Sequence, residues 1–209
     1  PAFYAFLEEL GYTVVINRVS RYVIDVNRGE NERCGSYQTN LVYTTTTQGE
    51  EMYRIPLTAK ETEERIKNYY APYHNALIGA IREKLKRYTR IYLLDLHSFG
   101  LDCEADIILG NDFGKTCSNG IISFLKDKFG ENGFLPVENI PFSGAYITKN
   151  YCRQFPCCET VQIELSYRAY IQNRVFESGE ENPVIEQEYF KNQQKKMAAV
   201  YSSFREYLR

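Results

Sequence analysis

The sequence contains no long apolar run and no excess of positive charge. A membrane-spanning helix needs about 20 consecutive apolar residues, and no stretch of this 209-residue chain approaches that length. The 25 Lys and Arg residues are balanced by 27 Asp and Glu residues, which gives a net charge of −2. The chain therefore lacks the basic surface that is typical of proteins binding nucleic acid or anionic membranes. We expect a soluble protein with neither of these partners.

The six cysteines form no CxxC pair, and the chain shows no secretory signal peptide. Cys157 and Cys158 are adjacent, which is a poor arrangement for a disulfide framework. This pattern favours reduced thiols in a cytoplasmic protein over a zinc site made of cysteines. The chain starts at Pro1 rather than at a methionine, and we expect that further residues precede it.

Apolar periodicity predicts strands and helices that alternate along the chain. With 44% hydrophobic residues, the chain can bury one substantial core, and we predict a single domain over residues 1–209. Apolar and β-branched runs predict strands at residues 12–19, 91–94, 105–109 and 160–165. Helical spacing predicts helices at residues 3–10, 58–88 with a break at Pro72, 117–129, and from Pro183 onward. The expected fold is α/β, a three-layer α/β/α sandwich with a mixed, largely parallel central sheet.

Two local patterns refine the predicted helices. Thr58 and Glu61 have the spacing of a capping box, which predicts a helix start at this point. The final helix has a stripe of apolar residues at helical spacing that we expect to be buried. Its members are Ile185, Tyr189, Met197, Val200, Phe204 and Leu208.

The apolar run at residues 91–94 leads directly into Asp95, His97 and Ser98. We interpret the run as a strand buried on both faces, with the polar residues at its carboxyl end, where α/β sheets gather ligands and catalytic groups. His97 is then placed to bind a metal ion through one ring nitrogen. Asp95 shares the face of His97 only if the strand stays regular that far. The alternative is a structural histidine.

A second polar cluster lies at residues 21–28. Asp25, Asn27 and Arg28 follow Arg21 within one short segment. The planar guanidinium of arginine matches a carboxylate, and asparagine adds a hydrogen-bond donor beside it. The cluster is therefore a candidate for binding an acidic substrate group, and the alternative is a set of surface ion pairs. A long polar region follows, up to Tyr53, and a loop of that length is often functional.

Glu164 stands in the strand predicted at residues 160–165. A buried carboxylate is costly unless it is paired or functional, and burial favours its protonated form, which suits proton transfer. The alternative is an ion pair with Arg168, and the sequence leaves the two interpretations equally open.

Taken together, these clusters resemble a known enzyme family. DVNR at residues 25–28, DLHS at residues 95–98 and Glu164 in QIEL occur in the order used by zinc-dependent carboxypeptidases and related deacylases. From about Leu7 to Tyr207, longer segments resemble the N-formylglutamate amidohydrolase family. These segments are SRYVIDVNRGEN, YYAPYHNAL, LLDLHSFG, DIILGNDFGKTC, SGAYITKNY and VQIELSYRAY. The resemblance is specific for the family and not for one substrate within it.

The resemblance implies a role for each candidate residue. His97 would be a zinc ligand. Glu164 would be the general base that activates water and then the acid that protonates the leaving amine. Asn27 and Arg28 would bind the α-carboxylate of the substrate. Arg21 would polarise the scissile carbonyl and stabilise its oxyanion.

The resemblance also places Tyr146 near the substrate. It further implies two zinc ligands that this chain does not match, a His and an acidic residue, which the family takes from a segment before the first helix of this chain. The only other histidine is His74, which we interpret as structural or pocket-lining. Since a catalytic zinc needs three protein ligands, we expect the other two upstream of Pro1.

The predicted function is zinc-dependent hydrolysis of the amide bond of an N-formyl or N-acyl amino acid. N-formylglutamate, cleaved to glutamate and formate, is the lead substrate that the family name implies. One alternative is a related carboxypeptidase or N-acyl amino acid deacylase, in which Arg18, Lys149 or Arg153 are candidates to bind a second substrate carboxylate. The other alternative is a metal-free protein that binds carboxylates without catalysis.

Overall fold

The computed structural model describes residues 2–31, 33–37, 39–172 and 184–209. Its regular elements are, in chain order, α1 (Phe6–Glu9), β1 (Cys34–Gly35), β2 (Val42–Tyr43), α2 (Ala59–Arg65), α3 (Ala71–Leu85), β3 (Ile91–Phe99), β4 (Ile107–Gly110), α4 (Asn119–Glu131), β5 (Pro136–Glu138), α5 (Tyr146–Gln154), β6 (Cys158–Ser166) and α6 (Gln187–Tyr207). Short 3₁₀ turns occupy Ala2–Tyr4 and Tyr167–Ala169, and one π-helical turn occupies Ile66–Tyr70.

The chain divides into two compact units, each of which we describe by itself. The sheet unit comprises Pro1–Val14, Tyr92–Gly144 and Thr148–Arg209. The helix unit comprises Val15–Ile91 and Ala145–Ile147. The single domain over residues 1–209 stays a prediction.

The helix unit contains one long helical stretch whose start follows from its sequence. The Glu61 N–H donates to the Thr58 hydroxyl at 3.2 Å, and the Thr58 N–H donates to the Glu61 carboxylate at 2.8 Å. The predicted capping box is therefore confirmed. Pro72 is the second residue of α3, which follows directly on a π-helical turn, and its missing N–H interrupts the regular helical hydrogen bonds there. The break predicted near Pro72 is the π-helical turn between α2 and α3.

The sheet unit contains a four-stranded sheet in the order β3-β6-β4-β5. β4 is parallel to β5 and antiparallel to β6, and helices flank the sheet, so the predicted α/β class with a mixed sheet is confirmed. Within the described residues β3 is an outer strand, and its residues 91–94 are only half-buried. The prediction that this run is buried on both faces is therefore wrong; among the described strands, only β6 borders β3.

The larger of the buried clusters of the sheet unit lies on one face of the sheet, and a smaller cluster contains Phe99 and Ile108 of the alternate positions. Ile107 and Leu109 of β4 and Ile163 of β6 are fully buried, in one cluster with residues of α4 and α6. The residues of β3 that pack against the same cluster are Tyr92, Leu94 and Leu96. Because side chains alternate along a strand, Asp95 and His97 point to the opposite face.

The strand predicted at residues 12–19 is wrong, since these residues have no regular secondary structure. A β-branched sequence forms a strand only where another strand pairs with it. Tyr12 instead donates its hydroxyl to the Tyr201 carbonyl at 2.7 Å, and Val14 packs against the core. The sequence analysis also missed β5 and α5, which span three and nine residues, too short for a period to be distinct.

The final helix confirms half of its predicted apolar stripe, and Tyr189 and Leu208 of the same stripe are half-buried. Met197, Val200 and Phe204 are fully buried, whereas Ile185 precedes the helix and is 41% exposed, so its predicted burial is wrong. α6 begins at Gln187, capped by the Glu186 carboxylate, and the predicted start at Pro183 lies outside the described residues. Among the helices that the structure describes, none combines the length and the apolar character needed to cross a membrane.

Candidate active site

The site residues predicted from the sequence fall into two sets. The sheet unit contains His97 and Glu164, and the helix unit contains Arg21, Asn27, Arg28 and Tyr146. The structure thus groups these residues within each unit, and the two sets are described separately.

In the sheet unit, Asp95 and His97 form a pair inside β3. The sequence analysis predicted that these residues follow the strand. The strand continues to Phe99, so they lie within it instead. Every second residue of β3 packs against the core, namely Tyr92, Leu94 and Leu96. This alternation continues beyond the apolar run at residues 91–94. The Asp95 Oδ1 atom lies 2.8 Å from His97 Nε2, because the regular strand places both side chains on one face. A carboxylate on one ring nitrogen fixes the orientation of an imidazole.

Glu164 is 8% exposed and lies on the face of β6 that is opposite the cluster formed with α4 and α6. Its ladder partner is Ile108, while the neighbouring Ile163 packs into the core cluster. The Gln162 amide donates to Glu164 Oε1 at 2.7 Å. Because an amide is neutral, it orients the carboxylate without neutralising its charge. The guanidinium of Arg168 donates to the Cys103 carbonyl, and the alternative ion pair between Arg168 and Glu164 stays a prediction.

The sheet places His97 and Glu164 on the same face. β3 and β6 are neighbours in the sheet, and alternation directs both side chains away from the α4 and α6 core. An oriented imidazole and a buried carboxylate on adjacent strands are the groups required for proton transfer to and from a bound substrate.

In the helix unit, buried Asp25 is the acceptor around which the loop at residues 21–28 is arranged. Its Oδ1 atom accepts the Asn27 N–H at 2.9 Å, and its Oδ2 atom accepts Arg21 Nη2 at 3.2 Å and the Tyr43 hydroxyl. Burial alone would lower the pKa of Arg21. The Asp25 carboxylate and the hydroxyls of Tyr43 and Tyr37 outweigh this effect, so the pKa of Arg21 lies above its usual value. Arg21 is therefore a permanent cation.

The other predicted residues of this unit border the same loop. The Ile147 N–H donates to Asn27 Oδ1 at 2.8 Å, and Arg28 Nη1 donates to the Asn27 carbonyl at 2.7 Å. The Tyr146 ring lies against Gly29, where a Cβ atom would approach the ring to 3.3 Å. Two guanidinium groups and an amide on one short loop are a donor-rich set that suits the carboxylate of a ligand.

His74 supports this loop from α3. The side chain is buried, its Nε2 atom lies 3.0 Å from the Val26 carbonyl oxygen, and its ring centroid is 4.1 Å from that of Tyr70. Tyr70 also donates its hydroxyl to the Arg28 carbonyl at 2.9 Å. These contacts give His74 a structural position, as interpreted from the sequence.

The described residues do not fit a complete zinc site. Over residues 2–172, apart from 32 and 38, and over 184–209, no group of three or more His, Cys, Asp or Glu side chains is placed to bind a metal ion. His97, with its ring oriented by Asp95, has the chemistry of one ligand. A catalytic zinc needs three, so we assign no step of the reaction to a metal.

Sequence reasoning missed three residues that support the site. Tyr37 and Tyr43 lie in the long polar region, where no periodic pattern singles them out, and only tertiary contacts bring them to Arg21 and Asp25. Gln162 was predictable, because it lies two residues before Glu164 in a strand and must share its face.

Comparisons with known proteins agree with this architecture. The family model for N-formylglutamate amidohydrolase matches residues 1–171. N-formylglutamate deformylase of Pseudomonas aeruginosa is 27% identical over 187 residues, which cover 83% of this chain and 70% of that protein. The enzyme of the same name from Pseudomonas putida is 27% identical over 184 residues, covering 82% and 69%.

Two solved structures share the fold. The crystal structure of N-formylglutamate amidohydrolase from Ralstonia eutropha JMP134 superimposes with a TM-score of 0.73 at 24% identity, over 90% of this chain and 73% of that one. A gene product of Agrobacterium tumefaciens gives a TM-score of 0.62 at 18% identity, over 90% and 70%. At these identities the structures support the fold alone. The family model, which covers most of the chain, shows that the chain belongs to the N-formylglutamate amidohydrolase family.

Proposed function

We propose that the protein hydrolyses the amide bond of N-formylglutamate and releases formate and glutamate. The observation that supports this most strongly is Glu164, a buried carboxylate oriented by a neutral amide and located on the same sheet face as His97. Two relatives with 27% identity are named for this reaction.

In the proposed reaction, Glu164 moves the protons. It takes a proton from the attacking water as the water oxygen bonds to the formyl carbon, and it delivers that proton to the leaving nitrogen as the carbon–nitrogen bond breaks. The carbonyl oxygen gains negative charge when water adds. Arg21, whose raised pKa keeps it charged, stabilises that charge.

Asn27 and Arg28 bind the α-carboxylate of the substrate in this proposal. Their loop is fixed in part by the Ile147 N–H, which donates to Asn27 Oδ1 at 2.8 Å and so orients the Asn27 amide. Tyr146, packed against Gly29, provides an aromatic wall beside the same loop. Arg18, Lys149 and Arg153 are the candidates to bind the side-chain carboxylate of the substrate. The Lys149 ammonium also pairs with the Asp112 carboxylate at 3.2 Å.

We propose zinc as the metal, with His97 as one ligand; its other two ligands upstream of Pro1 stay a prediction. The test is the metal content of the complete protein and its zinc affinity by calorimetry. We expect about one zinc per chain, and a weaker affinity in a His97→Ala variant. Metal-free protein that takes up no zinc would contradict this proposal.

Relative rates with related substrates test the proposed activity. We expect kcat/KM for N-formylglutamate to exceed that for N-acetylglutamate and for N-formylalanine, which lack the formyl group and the side-chain carboxylate respectively. Faster cleavage of N-acetylglutamate would favour a related N-acyl amino acid deacylase.

A metal-free carboxylate-binding protein is the second candidate, since no three-ligand group occurs in the described part of the chain. Such a protein would bind N-formylglutamate, as measured by calorimetry, but would release no formate or glutamate, and Glu164→Gln would leave its Kd unchanged.

We also propose a cytoplasmic location, supported by six free cysteines. Cell fractionation tests it, and recovery in a secreted fraction would contradict it.

A further inference from the structure

Asp25 pairs with Arg21 and accepts the Tyr43 hydroxyl, but neither Asp25 nor Tyr43 has a part in the reaction proposed above. Asp25 is 3% exposed and Tyr43 is fully buried. The Arg21 side chain is 42% exposed, so packing alone does not fix its guanidinium. A long side chain loses much rotamer freedom when it is held in one orientation, and specific contacts must compensate for that loss.

Tyr43 is rigidly placed. It belongs to β2, which pairs in parallel with β1 in the register Gly35 to Tyr43. Its ring centroid lies 4.9 Å from that of Tyr37 and 6.2 Å from that of Tyr22, both in edge contacts. A buried ring held on two sides has a single position for its hydroxyl group, and this hydroxyl donates to Asp25.

Asp25 is fixed by donors on both carboxylate oxygens. Its own N–H donates to the Leu41 carbonyl at 2.8 Å, which locates the backbone, and the Asn27 N–H donates to Oδ1 at 2.9 Å. The other oxygen, Oδ2, is shared by Tyr43 and Arg21. The position of the guanidinium therefore depends on where the Tyr43 hydroxyl holds this oxygen.

Protonation keeps the arrangement in one state. Burial and then the Asp25 carboxylate raise the pKa of Tyr43 above its usual value, so the phenol remains a donor wherever the protein is folded at neutral or mildly alkaline pH. Tyr37 adds a second contact for Arg21, with its hydroxyl 3.4 Å from Nη1 and its ring centroid 5.9 Å from the guanidinium carbon.

We propose that Tyr43 and Asp25 are positioning residues that hold the Arg21 guanidinium in the orientation required for oxyanion stabilisation. This inference rests on the function proposed for Arg21. Tyr43 acts only through Asp25 and Arg21, and it touches no substrate.

The decisive variant is Tyr43→Phe, which removes one hydroxyl, with Tyr22→Phe as the matched control from the same aromatic cluster. Nitrogen-15 relaxation of the Arg21 Nε–H group reports its mobility without requiring activity. We expect Tyr43→Phe to make this group clearly more mobile and Tyr22→Phe to leave it as rigid as in the wild type. Equal rigidity in all three proteins would overturn the proposal. If Tyr43→Phe does not fold, Asp25→Asn, which keeps the side-chain size, is judged by the same measurement.

Kinetics separate positioning from a general structural role. We expect Tyr43→Phe to lower kcat by roughly 10- to 150-fold, the range for loss of a hydrogen bond to a charged group, with KM changed little. In an Arg21→Ala background the same substitution should have no further effect on kcat. An equal loss in both backgrounds would overturn the proposal. If the wild type does not cleave N-formylglutamate, the proposed function fails, and the Arg21 mobility still decides this inference.

Discussion

The two sets of candidate residues are fixed in different ways. In the sheet unit, His97 and Glu164 lie on regular strands, and the direction of each side chain follows from the alternation that buries its neighbours in the core. In the helix unit, Arg21 and Asn27 lie on a loop, and hydrogen bonds with Asp25 and with the Ile147 N–H fix their side chains. The difference teaches that the strand-held residues depend on the core, whereas the loop-held residues depend on individual polar contacts.

The largest expected effect tests whether the strand-held set performs the chemistry. Glu164→Gln keeps the size of the side chain but removes the proton acceptor, so we expect kcat to fall by about 10²- to 10⁴-fold with KM nearly unchanged. Steady-state kinetics of formate release measure this effect, and Glu138→Gln in the edge strand β5 serves as the control. If Glu164→Gln raised KM and left kcat unchanged, Glu164 would be assigned to substrate binding, and the strand-held set would not perform the chemistry.

The next effect tests the dependence of the strands on the core. Leu125 of α4 is fully buried in the core cluster, so Leu125→Ala should lower the free energy of unfolding by about 2–5 kcal/mol. Urea denaturation followed by circular dichroism measures it. Leu101, which is 50% exposed, gives the matched substitution Leu101→Ala, for which we expect a change within about 0.5 kcal/mol. Equal losses for both variants would contradict the position of the core.

A smaller effect tests the loop-held set. Arg28→Ala removes a guanidinium assigned to substrate binding, so we expect KM to rise by about 10- to 100-fold with kcat largely kept. Arg33, whose guanidinium forms an exposed pair with Glu63 at 2.6 Å, provides the control Arg33→Ala. If Arg28→Ala lowered kcat and left KM unchanged, its assignment to binding would be wrong.

The last effect is a loss of stability at alkaline pH that involves two buried thiols of the sheet unit. Burial, with the nearby thiols of Cys152 and Cys157, raises the pKa of Cys158 to about 12, and burial raises that of Cys117 as well. Thiols of the unfolded chain lose their protons near pH 8.5. Above this pH the unfolded state binds fewer protons than the folded state, so stability falls as pH rises, by up to about 1.4 kcal/mol per pH unit for each thiol.

Urea denaturation between about pH 7.5 and 10.5 measures this slope. We expect Cys158→Ala to flatten it, while Cys34→Ala at an exposed position leaves it unchanged. An identical slope in both variants would show that Cys158 titrates normally in the folded protein.

The same contrast explains what the sequence could predict. Glu164 and His97 were singled out as candidates because a polar residue within an apolar strand disrupts a short, local pattern. Even so, the end of β3 was placed too early, because Ile91–Leu94 was interpreted as a complete strand and the alternating residues after it were not counted. The break near Pro72 and the capping box at Thr58 were predictable for the same local reason.

The contacts of the loop at residues 21–28 were not predictable in this way. Tyr43 reaches Asp25 from 18 positions away, and Ile147 reaches Asn27 from 120 positions away. No periodicity encodes such pairs, since they exist only once the chain has folded. The predicted strand at residues 12–19 failed for a related reason, because β propensity does not specify which strand will pair with it.

Direct observation of the products tests the central claim. The complete protein is incubated with N-formylglutamate, and proton NMR follows the formyl signal of the substrate and the signals of formate and glutamate. We expect formate and glutamate to appear in equal amounts, and to be absent over the same period with Glu164→Gln. Unchanged N-formylglutamate after prolonged incubation with folded, zinc-supplemented wild-type protein would contradict the account.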